Sequence, residues 1–265
     1  MPLLFGATES PLYGVFHQAQ GARRNAGIVL CYPFGQEYMR AHRAFRQLAL
    51  LLTRKGFDVL RFDYRGTGDS SGECDATTAT DWLHDISEAV QELRETANIT
   101  SVSLIGLRLG ALFAAAACRD VSTNIEQLVL WDPVLSGAEY KTELLQAMED
   151  EVPSDKGVVT GNKITAEGAL HYNGFSLADK LLRSVIDLDL RDTVPMQVSK
   201  VLQIVSHETP SFTELRSSWA HHPAYRYHFA AAPHDWNYVD DFGGILLPQP
   251  VIRAIVQWFD SGAVS

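Results

Sequence analysis

The chain has 265 residues, with 22 Lys and Arg against 32 Asp and Glu and a formal net charge of −10 at pH 7. So acidic a chain offers no cationic surface to displace counterions from phosphates, which argues against nucleic acid or an anionic membrane as partner. With 46% hydrophobic and 20% charged residues it reads as globular, and its length suffices for one large core.

Cys31, Cys74 and Cys118 are too few and too scattered for a disulfide framework or paired zinc ligands, which points to a reducing, cytoplasmic location. The most apolar stretch, Val102 to Cys118, is interrupted by Arg108 and falls short of the roughly 20 residues that span a bilayer, and Met1 to Ser10 carries no basic leader.

In chain order, β-rich runs at Gly27 to Tyr32, Phe57 to Phe62, Ser101 to Ile105, Ile125 to Trp131, Lys200 to Val205 and Tyr225 to Ala231 alternate with helical patterns. The helices are expected at Ala41 to Arg54, Thr78 to Thr96, Leu109 to Arg119 and Pro248 to Asp260. Gly56 stops the first, and Thr78 with Asp81 opens the second as a capping box. Continuously apolar strands suit a parallel sheet covered on both faces.

The alternation breaks once. From Pro133 to Val198 no strand is expected; a charged helical stretch (Glu139 to Asp155), a Gly-rich region (Gly157 to Asn173) and an amphipathic run (Leu177 to Leu190) follow instead. A structureless loop that long is implausible, so residues 133–198 read as a helical cap inserted into a core formed by 1–132 and 199–265. The acidic run Glu139 to Asp155 reads as a solvated face, and His171 and Tyr172 as cap residues able to face a ligand.

Strand Ser101 to Ile105 leads into Gly106-Leu107-Arg108-Leu109-Gly110 and then an Ala-rich helix. Glycines flanking a strand-to-helix turn allow the tight backbone that projects the central side chain above the sheet. This is a G-x-S-x-G elbow with arginine where the nucleophilic serine belongs.

With Cys31-Tyr32-Pro33-Phe34-Gly35 and Asp63 to Gly72, which carries the D-x-R-G-x-G-x-S pattern, the chain resembles the α/β-hydrolase superfamily. More narrowly it resembles the serine-aminopeptidase-like branch that includes exosortase-system-associated hydrolases. The resemblance implies an α/β-hydrolase fold and an oxyanion hole made by the amides of Phe34 and of Leu107 or Leu109. It places a triad acid at Glu208 and a histidine at His234, with Asp132 as the alternative acid, and puts Tyr32 and Trp236 beside a substrate. No cofactor or metal is implied; His221-His222 lacks a third ligand and reads as surface.

A guanidinium stays protonated and has no lone pair to attack a carbonyl, so covalent acyl-enzyme chemistry at Arg108 is excluded. A cation in a helix's first turn also opposes the macrodipole by roughly 0.3–1 kcal/mol, so an anion is expected nearby. Two readings stand. In one, Glu208 or Asp132 pairs with Arg108 and plugs a dead site in a binding or scaffold protein. In the other, Arg108 clamps an anionic group of a small acyl, ester or carboxylate substrate while His234, oriented by an acid, works as general base or acid. Cys31, Cys118, Ser70 and Ser71 occupy no elbow.

Overall fold

The computed structural model describes residues 1–120, 123–150, 163–166, 169–172, 174–177, 179–192, 197–237 and 246–261. The apolar runs of the sequence become the middle of the sheet: β3 (Ala26–Cys31), β4 (Asp58–Phe62), β5 (Ser101–Leu107), β6 (Ile125–Trp131) and β10 (Lys200–Val205), whose residues are almost all buried. β11 (Tyr225–Phe229) closes one edge parallel to β10. The other edge is a hairpin not foreseen in the sequence, β1 (Pro2–Phe5) and β2 (Leu12–His17), with β2 antiparallel to β4. The sheet order is β1-β2-β4-β3-β5-β6-β10-β11. β2 alternates buried and half-buried residues, as befits a strand covered more fully on one face.

Helices α1 (Gly35–Arg54) and α7 (Gln249–Ser261) pack together over one face, and α2 (Ala79–Ala97) and α3 (Leu109–Ala117) over the other. α2 opens on the expected capping box between Thr78 and Asp81. α6 (Pro210–Trp219) joins β10 to β11. This is the α/β-hydrolase fold.

The insertion between β6 and β10 is not purely helical. Between α4 (Gly137–Asp150) and α5 (Asp179–Ile186) a small antiparallel sheet forms from β7 (Lys163–Ile164), β8 (Leu170–Tyr172) and β9 (Phe175–Leu177). These strands are two or three residues long, too short to register as an alternating pattern. The charged stretch beyond Asp150 and most of the Gly-rich region lie outside the described residues. In α4, Tyr140 and Leu144 are buried in the core while the Glu139 and Glu143 side chains stay 40% and 48% exposed. His222, expected at the surface, is buried at 6% exposure.

Candidate functional site

β5 runs straight into the elbow. Arg108 takes φ 53° and ψ −120°, a conformation that non-glycine residues rarely adopt, and caps the N-terminus of α3. The elbow is tied down on three sides: the Arg108 amide donates to the Trp131 carbonyl at 3.0 Å, and the amides of Ala111 and Val134 donate to the Arg108 carbonyl at 3.0 and 3.3 Å. The flanking glycines are required by space. A Cβ at Gly106 would lie 2.4 Å from the Gly110 carbonyl oxygen, and one at Gly110 would lie 2.3 Å from that of Cys31.

The anion expected beside Arg108 is present, but it is neither Glu208 nor Asp132. Arg108 Nε donates to Glu37 Oε1 at 2.9 Å, and Nη2 pairs with Glu143. Glu37 is fully buried in the first turn of α1, where the helix dipole favours a carboxylate. Asn237 Nδ2 donates to the same Oε1 at 3.2 Å, and the buried Tyr140 hydroxyl lies 3.5 Å from Oε2. Two donors on one oxygen fit an ionised carboxylate, although burial pushes the Glu37 pKa upward against the pull of Arg108. Burial alone would lower the Arg108 pKa; Glu37 and Glu143 more than offset it and hold the guanidinium charged. An anionic ligand group therefore finds the Arg108 charge already answered from within the chain.

Asp132 and Glu208 are engaged elsewhere. Asp132 is wholly buried at the end of β6 with φ 41°. Its carboxylate accepts from the Ser206 amide and hydroxyl, each at 2.7 Å, and from Trp236 Nε1 at 3.3 Å. Glu208 is exposed and accepts from the Tyr227 hydroxyl at 2.7 Å, so among the described residues its hydrogen bond runs to β11 rather than to His234. His234 instead stacks on His207, ring centroids 3.8 Å apart at an interplanar angle of 11°. Ser206 Oγ lies 3.3 Å from His207 Nδ1, which links the imidazole pair to Asp132. Burial lowers the His207 pKa, Asp132 and Glu143 oppose that, and His234 and Arg108 add to it. The Asp132–Ser206–His207 chain starts one residue after Trp131, whose carbonyl holds the Arg108 amide.

Of the remaining expected residues, Leu107 and Leu109 flank Arg108 and are buried, and Phe34 is the half-buried N-cap of α1. The N-termini of α1 and α3 both lie at the elbow. Trp236 is buried edge-on to Trp131 at 5.5 Å, where it supports Asp132. Tyr32 packs against Tyr38 and Phe45 while its hydroxyl accepts from Arg61 Nη1 at 2.8 Å.

Two spaces are lined by described residues at the start of α1. Under the cap, between Gln36, Tyr140, Leu144, Leu170 and Asn237, about 10 Å³ remains, no more than one water needs. A cavity of about 320 Å³ lies on the other side of Phe34, between the start of α1, the loop after β4 and Phe175 of the cap. Among the described residues no group of three or more His, Cys, Asp or Glu is placed to hold a metal, and no helix is long and apolar enough to cross a membrane.

Sequence reasoning missed Glu37, Glu143, Tyr140, Asn237 and His207. Glu37 left a signal: one turn before Ala41 it extends the buried stripe Ala41, Ala44, Phe45, Leu48 and Leu52 backward, so a carboxylate occupies a core-facing position of α1.

The eight-stranded, mostly parallel sheet with helices on both faces defines an α/β-hydrolase-fold protein. Residues 26–157, from β3 into the cap, match the family described as serine aminopeptidase, S33. The fold is similar to that of an esterase from Pyrococcus furiosus (TM-score 0.69, 15% identity, 98% of this chain and 90% of that one). It is also similar to Est1E from Butyrivibrio proteoclasticus with bound ferulic acid (0.66, 14%, 99% and 98%) and to a proline iminopeptidase from Mycobacterium smegmatis (0.65, 14%, 99% and 100%). No curated protein matches the sequence.

Proposed function

We propose that this chain is a small-molecule-binding protein on an α/β-hydrolase scaffold, in which Arg108 locks the nucleophile position and no acyl-enzyme forms there. The observation that carries the reading is the pairing of Arg108 with both Glu37 and Glu143. A guanidinium so held neither attacks a carbonyl nor offers its charge to a substrate anion.

A second reading keeps the enzyme. It is favoured by the stacked imidazoles that Ser206 links to Asp132 and by the fold's kinship with an esterase and an iminopeptidase. Here His234 activates water on an ester or acyl substrate, with Asp132 acting through Ser206 and His207 in the place first expected of Glu208. The amides of Phe34 and Leu109 would then meet the developing oxyanion.

Turnover separates the two, and labelling tests the locked elbow that both share. Serine-directed fluorophosphonates are expected to leave wild type unlabelled, and Arg108→Ser as well, because Glu208 does not orient His234. Ester turnover that His234→Ala abolishes would establish the second reading. A slow residual rate unaffected by His234→Ala would support the first, since an oxyanion hole and binding alone can leave about 10³-fold over water.

A further inference from the structure

We propose that the cavity between α1, the loop after β4 and the cap is a ligand site for a small organic cation, an ammonium or amidinium carried on an apolar or aromatic body, with Asp63 as its counter-ion. The proposal deepens the binding reading above by naming the ligand class.

The cavity, about 320 Å³, is large enough for a ligand of one or two rings. Its walls are aromatic: Phe34 and Tyr38 from the start of α1, Tyr64 stacked on Trp82 at 4.7 Å, and Phe175 from the cap. Aromatic faces attract cations through the ring quadrupole, and more strongly where water is excluded. Asp63 lies in the same lining and is only 7% exposed. Its oxygens accept one hydrogen bond each, from the Tyr38 hydroxyl at 2.9 Å and the Asp69 amide at 3.1 Å, which leaves lone pairs on both. Neither donor is charged.

Among the described residues no lysine or arginine forms an ion pair with Asp63. Arg61, on the neighbouring strand position, is committed to the Tyr32 hydroxyl and to His17 Nε2 at 3.0 Å. His42 is the other basic group that Asp63 feels, and burial together with Arg61 lowers its pKa, so it is a weak counter-charge at neutral pH. Burial pushes the Asp63 pKa upward, and a ligand cation beside it would favour the ionised form and offset the cost of keeping it from water. An anion would meet Asp63 head-on, and a neutral ligand would gain the rings but leave the charge unanswered.

The test compares three probes of matched shape: phenethylammonium, 2-phenylethanol and 3-phenylpropionate. Binding is read by calorimetry and by protection of Cys74, which lines the cavity, from alkylation; Cys31 and Cys118 are buried and serve as internal controls. The ammonium is expected to bind wild type roughly tenfold more tightly than the alcohol, equivalent to about 1.4 kcal/mol, and to protect Cys74. The carboxylate should bind most weakly. Asp63→Asn is expected to abolish the preference for the ammonium, and Phe175→Ala to weaken ammonium and alcohol alike. Should Asp63→Asn fail to fold, the wild-type probe order and Cys74 protection still decide. Equal or tighter binding of the alcohol or the carboxylate, or ammonium binding without Cys74 protection, would overturn the proposal. None of these outcomes touches the fluorophosphonate result at Arg108, so failure of the cation site and failure of the locked elbow are told apart.

Discussion

The guanidinium of Arg108 and the carboxylate of Glu37 share a dry environment, and neither is tolerable there without the other. Removing one partner of a buried pair costs about 3–5 kcal/mol because it strands the second charge. Glu37→Gln and Arg108→Met are each expected to destabilise by that amount in urea denaturation, while the double variant should recover most of the loss. Additive losses in the double variant would show that the pair is not the coupled unit described. His207 carries a pH dependence of opposite kind. Burial depresses its pKa below the ordinary histidine value of 6.5, so the folded protein resists a proton that the unfolded chain accepts. Its contribution to stability is complete above the unfolded pKa and is lost as pH falls through 6.5 toward the folded value. Urea midpoints are therefore expected to drop between about pH 7 and pH 5 in wild type and to drop less in His207→Gln.

The elbow shows how far one element can be read from sequence. Gly106 and Gly110 around Arg108, between an apolar strand and an Ala-rich helix, announced the turn, because the spatial demand on both glycines is local to that turn. The same local logic exposed the capping box of α2 and the buried central strands. What stayed hidden depends on contacts far apart in the chain. Glu37 and Arg108 are 71 residues apart, Asn237 and Glu37 200 apart, and no local period reports which acid reaches which cation. Glu208 sits at the expected chain position, yet its side chain turns to Tyr227. The edge hairpin escaped notice because β1 is four residues long and β2, although its burial alternates, does not alternate apolar and polar residues in sequence. Packing at Gly110 gives the element-scale prediction. A methyl group there meets the carbonyl oxygens of Cys31 and Tyr32 at 2.3 and 2.4 Å, both backbone atoms that yield only if α3 moves off β3. Gly110→Ala is expected to cost about 1–3 kcal/mol or more, read as a lower urea midpoint. A near-neutral result would mean that α3 shifts freely.

Across the whole molecule, the cap is joined to the core by the same cation. Glu143 stands on α4 of the cap, Arg108 at the elbow and Glu37 at the start of α1, so one guanidinium bridges an inserted unit and the two helix N-termini beneath it. The two arms are unequal. The Glu37 side chain is fully buried and the Glu143 side chain 48% exposed, so water can replace Glu143 but not Glu37. An exposed arm is worth about 0–1 kcal/mol, against several for the buried one. Losing Glu143 should therefore loosen the cap without unfolding the core. Other contacts still seat it: the Ala79 amide donates to Ser184 Oγ, Lys180 Nζ to the Ala76 carbonyl and Trp219 Nε1 to the Leu190 carbonyl, each at 2.8 Å. In Glu143→Gln, amide hydrogen exchange is expected to speed up across α4 and β8–β9 while β3, β5 and β6 keep wild-type protection, with the urea midpoint nearly unchanged. In Glu37→Gln the acceleration should extend into the N-terminal turns of α1 and α3. Equal exchange patterns in the two variants would mean that cap and core open as one unit and that Arg108 is no hinge between them.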